Sequence, residues 1–146
     1  YESIAPFSDY GKKRVDVAAP GMLIHSQITG NEYLKVSGTS QASPFVANIA
    51  AQIKDTNKSL GPKEIKMILM GTVDEKSFLQ GKIKTSGIVN VNRAVHAAKL
   101  SLTMDLSTAI SQSRVKIADI AVESRIKSQI QRPAIIPIAL TPVFKF

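Results

Sequence analysis

Hydrophobic positions near the start of the chain form short runs that end at turn residues. Residues 15–18 form a brief run, apolar apart from Asp16, that is closed by Pro20 and Gly21, and residues 22–28 are a second strand candidate that ends at Gly30 and Asn31. Short runs bounded by proline, glycine and asparagine are typical of strands that are joined by turns. The pattern therefore predicts a strand, a turn and a second strand.

The next stretch has the spacing of an amphipathic helix. It follows a segment rich in serine, threonine and glycine, and it carries a proline, Pro44, in its first turns. Its apolar residues recur three and four positions apart, and they are Phe45, Val46, Ile49, Ala50 and Ile53. This spacing predicts a helix with one face, Phe45 included, turned toward a core.

Two further helices are predicted downstream. The first starts at Pro62, a favoured first helical residue, and we expect it to bury Ile65, Ile68 and Leu69. The second runs over about residues 91–100, and Asn90 stands where a capping side chain is expected. Between them, residues 81–84 and 88–89 are expected to form a hairpin with Gly87 as its turn residue.

The composition changes near residue 102, where we place a domain boundary. All eight glycines lie at or before Gly87, whereas three of the seven prolines fall within the last fourteen residues. Residues 1–102 are the predicted body, and residues 103–146 are a predicted tail of one amphipathic helix and one extended, proline-punctuated apolar segment. The apolar residues expected on one face of the tail helix are Leu106, Ile110, Ile117, Ile120 and Ala121.

Composition and charge exclude several classes of protein. With 146 residues, 44% hydrophobic and 21% charged, the chain suits about one soluble globular domain. Its apolar runs fall short of the roughly 20 residues of a membrane-spanning helix. The net charge of +8 is dispersed, and its one tight cluster, Lys12 to Arg14, lacks interleaved aromatic residues, so we expect a solvated loop and no nucleic-acid partner. The absence of cysteine excludes disulfides and thiol catalysis.

One motif carries candidate chemistry. Residues 38–44 read Gly-Thr-Ser-Gln-Ala-Ser-Pro and stand where a loop turns into the first predicted helix. The first N–H groups of a helix have no internal partner and carry partial positive charge, so they can stabilise an oxyanion that forms beside Ser40. Serine is also a favoured helix cap, and spacing alone does not separate a nucleophile from a cap.

The segment from Ser37 to Ala47 resembles the nucleophile motif of subtilisin-like serine proteases, the subtilases. The resemblance extends upstream through residues 7–11 and 15–21 and downstream through residues 82–98, so it covers about residues 4–100. It implies the C-terminal part of a subtilase catalytic domain. The implied fold is α/β, an incomplete subtilisin-like arrangement of a parallel sheet flanked by helices.

The resemblance also implies a serine endopeptidase with Asp, His and Ser in that chain order. By position, Ser40 is the implied nucleophile and its N–H an oxyanion donor, while Thr39 is a supporting hydroxyl. The Asp, the His and the oxyanion asparagine are expected upstream of Tyr1, in a longer protein whose upstream part is a partner of this chain. A polypeptide is the implied substrate.

Some residues depart from the subtilase pattern or invite other interpretations. Gln41 replaces a methionine and, with Gly38, is a candidate for the substrate cleft; Phe45 replaces a histidine and is expected to add packing. His25 and His96 match no catalytic-histidine motif, so we expect structural or exposed roles. Asp9, Asp16 and the pair Asp74 and Glu75 show no metal-ligand spacing, and solvated turn or capping roles are expected.

Two functional hypotheses follow. In the first, the chain supplies the nucleophile segment of a subtilisin-like endopeptidase and is inactive alone, because a serine hydroxyl needs a neighbouring base. In the second, it is a catalytically inactive fragment or relic that acts as a binding or scaffold module. The resemblance implies secretion or the cell envelope, and it leaves calcium as a possible ligand although no site is visible; no metal or other cofactor is expected.

Overall fold

A computed structural model describes residues 3–121 and 139–143, and an α/β arrangement is found there. The elements follow one another in the order β1 (Ser3–Ile4), β2 (Val17–Pro20), β3 (Ile24–Ile28), β4 (Glu32–Val36), α1 (Thr39–Thr56), α2 (Pro62–Gly71), β5 (Asp74–Glu75), a 3-10 turn (Ser77–Leu79), β6 (Gly87–Ile88), α3 (Val91–Leu100), α4 (Leu106–Lys116) and β7 (Ala139–Val143). The predicted α/β class is confirmed.

The main sheet has five strands in the order β1-β7-β2-β6-β5. β2 pairs with β6 in parallel and with β7 in antiparallel fashion, and β1 pairs with β7 in parallel. β5 and β6 are antiparallel, and residues 76–86, which include the 3-10 turn, connect them. The sheet is therefore mixed, where the resemblance implied a parallel one.

The hydrophobic core lies on both faces of β2. Val17 and Ala19 point into the larger cluster, which β2 shares with buried residues of α1, α2 and α3. Ala18 points to the opposite face. There it forms a second cluster with Leu79 of the 3-10 turn, Ile83 of the loop after it and Ile88 of the neighbouring strand β6. Successive residues of β2 point to opposite faces of the sheet, and both faces are buried. All four residues of the strand are therefore apolar.

The three predicted helices are confirmed. The fully buried side of α1 consists of Ala42, Val46, Ile49 and Ile53. Phe45 lies at the edge of that stripe and is 40% exposed, so its predicted burial is wrong. α2 begins at Pro62 and buries Ile68 and Leu69, while Ile65 is half-buried. α3 begins after Asn90, whose side chain accepts the N–H of Arg93 as predicted for a cap.

The predicted hairpin around Gly87 is wrong. Residues 80–84 form turns, and Gly87 lies inside β6, which pairs with β5. A Cβ on Gly87 would overlap the Val73 side chain and stand 3.1 Å from the Asp74 carbonyl oxygen. Gly87 therefore permits a close approach of two chain segments, which is a common reason for a glycine inside a strand. The actual hairpin joins β3 to β4, a strand that the sequence did not predict.

The tail helix is shorter than its apolar pattern suggested. α4 ends at Lys116, and Ile117 is already extended, so Ile120 and Ala121 lie beyond the helix. α4 packs against α2 and α3, with Leu106 and Ile110 on the main core. Of the predicted extended segment, residues 139–143 form β7, and the rest lies outside the described residues. The boundary at residue 102 stays a prediction.

Candidate active site

Ser40 lies in the first turn of α1, at the entrance to the helix. Gly38 is the N-cap residue and provides no side chain for capping, and Thr39 is the first helical residue. The Ser40 side chain is exposed, and within the described part of the chain no hydrogen bond engages its hydroxyl. The capping interpretation of Ser40 is therefore wrong, and the hydroxyl is accessible from solvent.

Two hydrogen bonds fix this helix start beside the end of β2. The Gly38 N–H donates to the Gly21 carbonyl oxygen at 2.7 Å, and the Leu23 N–H donates to Ser37 Oγ at 2.8 Å. Gly21 directly follows β2, so α1 begins next to the carboxyl end of that strand. In open α/β sheets, ligands bind in the crevice outside the carboxyl ends of the strands.

The turn after β2 is strained. Leu23 has φ 54°, a left-handed conformation that costs a residue with a side chain about 1–3 kcal/mol unless its surroundings enforce it. The Ser37 hydroxyl bonded to its N–H is part of that enforcement. Sequence reasoning missed the hydrogen bonds that Gly21, Leu23 and Ser37 form here. The only signal for them was a glycine directly after β2 and a serine shortly before α1.

Gln41 folds back over the helix start. A Cβ on Gly38 would stand 2.7 Å from Gln41 Oε1, and the Gln41 N–H donates to the Gly38 carbonyl at 3.2 Å. Gly38 has φ 166°, an extended backbone that any residue adopts, so space and not conformation favours glycine here. Gly38, Ser40 and Gln41, all candidate site residues, are thus brought together with Thr39 at one helix end.

The electrostatics of this helix end favour negative charge. The N–H groups of Thr39 and Ser40 have no hydrogen-bond acceptor within α1, and the helix carries no acidic residue in its first turn. An anion beside Ser40 would gain about 0.3–1 kcal/mol from the helix end in an exposed setting.

Neither histidine of the chain forms a hydrogen bond with Ser40 in the described structure. His25 is an exposed residue of β3. The half-buried His96 of α3 pairs through Nδ1 with Ser113 Oγ of α4 at 2.9 Å. These are the structural and exposed roles expected of them, and the described residues supply no general base to the Ser40 hydroxyl.

The acidic residues differ from expectation at two positions. Asp16 is mostly buried beside β2 and forms ion pairs with Lys66 at 2.8 Å and Lys84 at 3.6 Å. Asp74 is fully buried and pairs with Arg93. The predicted solvated roles of both are wrong, because each meets a cation from a distant part of the chain. Asp9 and Glu75 are exposed as expected.

The described residues contain no group of three His, Asp or Glu side chains placed to hold a metal ion. Among the same residues, no helix is both long and apolar enough to cross a bilayer. Lys12, Lys13 and Arg14 lie exposed in a turn, as predicted for a solvated basic cluster.

Comparison with known proteins identifies related sequences. The model of the subtilase family matches residues 1–112. Subtilisin-like protease 1 of Plasmodium falciparum (isolate 3D7) is 34% identical over 109 residues, which are 75% of this chain and 16% of that protein. The thermophilic serine proteinase of Bacillus sp. (strain AK1) is 42% identical over 94 residues, which are 61% of this chain and 23% of that protein.

The chain therefore spans less than a quarter of the length of these two relatives. Among solved structures, a chain described under the structural basis of subtilase cytotoxin SubAB assembly matches with a TM-score of 0.56. The match is 22% identical and covers 80% of this chain and 31% of that one, and it shows a shared fold.

Proposed function

Because the chain belongs to the subtilase family, we propose that it contributes the nucleophile segment of a subtilisin-like serine endopeptidase, with Ser40 as the nucleophile. The observation that carries the proposal is the exposed Ser40 hydroxyl in the first turn of α1, with no capping bond, beside the end of β2. A serine that served only to cap the helix would be the N-cap residue and bond a first-turn amide.

The chemistry follows from that position. Ser40 Oγ attacks the carbonyl carbon of a substrate peptide bond, and a histidine base takes its proton and passes it to the amine that leaves as the C–N bond breaks. Water, deprotonated by the same histidine, then hydrolyses the acyl-enzyme ester, which releases the acid and restores the Ser40 hydroxyl. The developing oxyanion accepts a hydrogen bond from the Ser40 N–H, which lies at the positive end of α1. Thr39 supports the site as a neighbouring hydroxyl, and Gly38 and Gln41 line the substrate cleft. The reaction uses hydroxyl, imidazole and amide groups, so the proposal includes no cofactor.

The histidine and its orienting aspartate belong, in this proposal, to an upstream part of the same protease. The family's residue order supports that placement, as does the fact that this chain corresponds to a small share of its relatives. A helix end contributes about 0.3–1 kcal/mol and cannot replace a base, so residues 1–146 alone are expected to turn over poorly. Secretion or residence in the cell envelope is part of the same proposal.

A second candidate function is a binding or scaffold module derived from a subtilase. It is favoured by one observation: within the described residues, neither histidine forms a hydrogen bond with Ser40. In that case the fold is retained while the catalytic machinery is not.

Labelling of native source material with a fluorophosphonate probe separates the two candidates. The probe reacts with a serine only where a base activates it, so label on Ser40 in a species much heavier than 15.8 kDa supports the endopeptidase. The matched variants are Ser40→Ala, which should abolish labelling, and Ser43→Ala, which should retain it. Absence of label, or label that survives Ser40→Ala, contradicts the proposal and favours the scaffold module.

A further inference from the structure

A short segment after α4 lies against a buried polar cluster. Residues 117–120 follow the last residue of α4 and lie beyond the 112 residues that match the family model. Their side chains bury little apolar surface, since Ile117 and Ile120 are only half-buried and Ala118 and Asp119 are exposed. Apolar burial alone does not explain why this segment is held to the body.

Arg93 of α3 binds the first part of the segment. Its Nε and Nη2 donate to the Ile117 carbonyl oxygen at 3.0 and 2.8 Å, and Nη2 also donates to Asp119 Oδ1 at 2.8 Å. A guanidinium forks its donors in one plane, so it can hold a carbonyl and a carboxylate at the same time.

Asp74 and Asn90 bind the rest. The Ile120 N–H donates to Asp74 Oδ2 at 3.1 Å, and Asn90 Nδ2 donates to the Ala118 carbonyl oxygen at 3.4 Å. The backbone of residues 117, 118 and 120 and the side chain of residue 119 are thus all recognised. The contact at residue 119 requires an acceptor there.

The cluster is held in place from within the body. Asp74, Asn90 and Arg93 are 0%, 1% and 4% exposed. Arg93 Nη1 donates to the Val73 carbonyl oxygen at 2.9 Å and to Asp74 Oδ1 at 3.2 Å, and Asn90 Nδ2 donates to the same carboxylate oxygen, Asp74 Oδ1, at 2.7 Å. Buried polar groups that are already oriented lose little freedom when a peptide binds them.

We propose that Asp74, Asn90 and Arg93 form a peptide-docking site whose occupant is this chain's own segment 117–120, and that the site anchors the chain directly after α4. Without the segment, Arg93 loses its bonds to Ile117 and Asp119, and Asp74 loses the amide of Ile120. Leaving buried charged groups with fewer partners is unfavourable, so the docked state is preferred. This inference does not depend on the role of Ser40.

Trypsin cleavage of the full chain after Lys116 tests the docking. The next residue is Ile117, whose carbonyl Arg93 holds, so a docked segment should resist cleavage far better than a free peptide of the same sequence. The variant Asp119→Ala removes an exposed side chain and its bond to Nη2 without entering the core. It should speed this cleavage about three- to tenfold, as expected for the loss of one partly exposed charged contact.

Cleavage after Lys12 to Arg14, in the exposed turn before β2, serves as an internal reference in the same digest. Asp55→Ala is the matched control, because it makes the same charge change on an exposed residue of α1. Hydrogen exchange of the Ile120 amide gives a second reading, and Asp119→Ala should speed it while Asp55→Ala should not. Cleavage of the wild-type chain at the free-peptide rate, or equal acceleration of the reference sites by Asp119→Ala, would overturn the proposal.

Discussion

Arg93 and Asp74 form an ion pair in the interior, with Nη1 3.2 Å from Oδ1 and side chains that are 5% and 0% exposed. The pair joins the start of α3 to β5, two elements that flank β6 in the chain. Burial of charged groups is tolerated only when most of their hydrogen-bonding atoms have partners. Here the carbonyl oxygens of residues 72, 73 and 117 accept further hydrogen bonds of the Arg93 guanidinium.

Replacing Arg93 by methionine should therefore be severe. The substitution leaves the Asp74 carboxylate buried without its cation, and we expect a loss of about 3–5 kcal/mol in the free energy of unfolding. Arg114→Met is the control, because Arg114 also forms an ion pair, with Glu75 at 2.6 Å, but both side chains are well exposed. Its expected effect is about 0–1 kcal/mol. Denaturant unfolding of the two variants measures the difference, and equal losses would contradict the buried-pair account.

Ser40→Ala should leave stability within about 0.5 kcal/mol of wild type, since the hydroxyl is exposed and caps nothing. Asn90→Ala provides the contrast. It removes a real cap on the Arg93 amide and a 2.7 Å bond to Asp74, and we expect a loss of about 1–3 kcal/mol. Thermal unfolding compares them. A destabilised Ser40→Ala protein would mean that the serine has a structural role after all.

The two faces of α1 can be distinguished by a pair of substitutions. Ile49 is 1% exposed in the main core, and Ile49→Ala should lower the free energy of unfolding by about 2–5 kcal/mol through lost burial and a cavity. Phe45 is 40% exposed, so Phe45→Ala should have a clearly smaller effect although it removes a larger side chain. Urea midpoints of both variants are the measurement. A larger loss for Phe45→Ala would restore the packing role that the sequence pattern suggested.

Gly87→Ala should destabilise the sheet. Its new methyl group would overlap Val73, and forcing the two segments apart is expected to cost about 1–3 kcal/mol. At Gly11, by contrast, an added Cβ meets nothing within 4 Å, so Gly11→Ala should stay within about 0.5 kcal/mol of wild type. The same unfolding assay serves for both, and indifference of the protein to Gly87→Ala would show that β5 and β6 can separate without cost.

Asp105 gives the protein a pH-dependent contribution to stability. It caps α4, and hydrogen bonds from Ser107 and Thr108 hold the pKa of its carboxyl well below the ordinary value of 3.8. The folded state therefore binds the proton less readily than the unfolded chain. This contribution is present in full above pH 3.8 and is lost as the pH falls below it.

The variant Asp105→Asn isolates that contribution, because asparagine caps a helix about as well but does not titrate. Stability at neutral pH should change little, and the decline in unfolding temperature between about pH 4 and pH 2 should be shallower than in wild type. Parallel decline of the two proteins would show that the Asp105 carboxylate has no preferential bonding in the folded state.

Local sequence determined where the helices begin and what chemistry one of them presents. Pro62 and Asn90 act within a single turn of backbone, so their positions alone predicted the starts of α2 and α3. The motif around Ser40 is equally local, and its residues do meet at one helix end. Subtilase membership rests on a match over residues 1–112, which include that motif.

Tertiary structure decided the features that depend on distant partners. Gly87 looked like a turn residue until Val73 was found against it, and Asp74 looked solvated until Arg93 was found beside it. Phe45 fits the helical period yet lies at the edge of the stripe that the sheet covers. Spacing along a chain fixes which side chains share a face, but only the packing of other elements decides which face is buried and which charge meets a counter-ion.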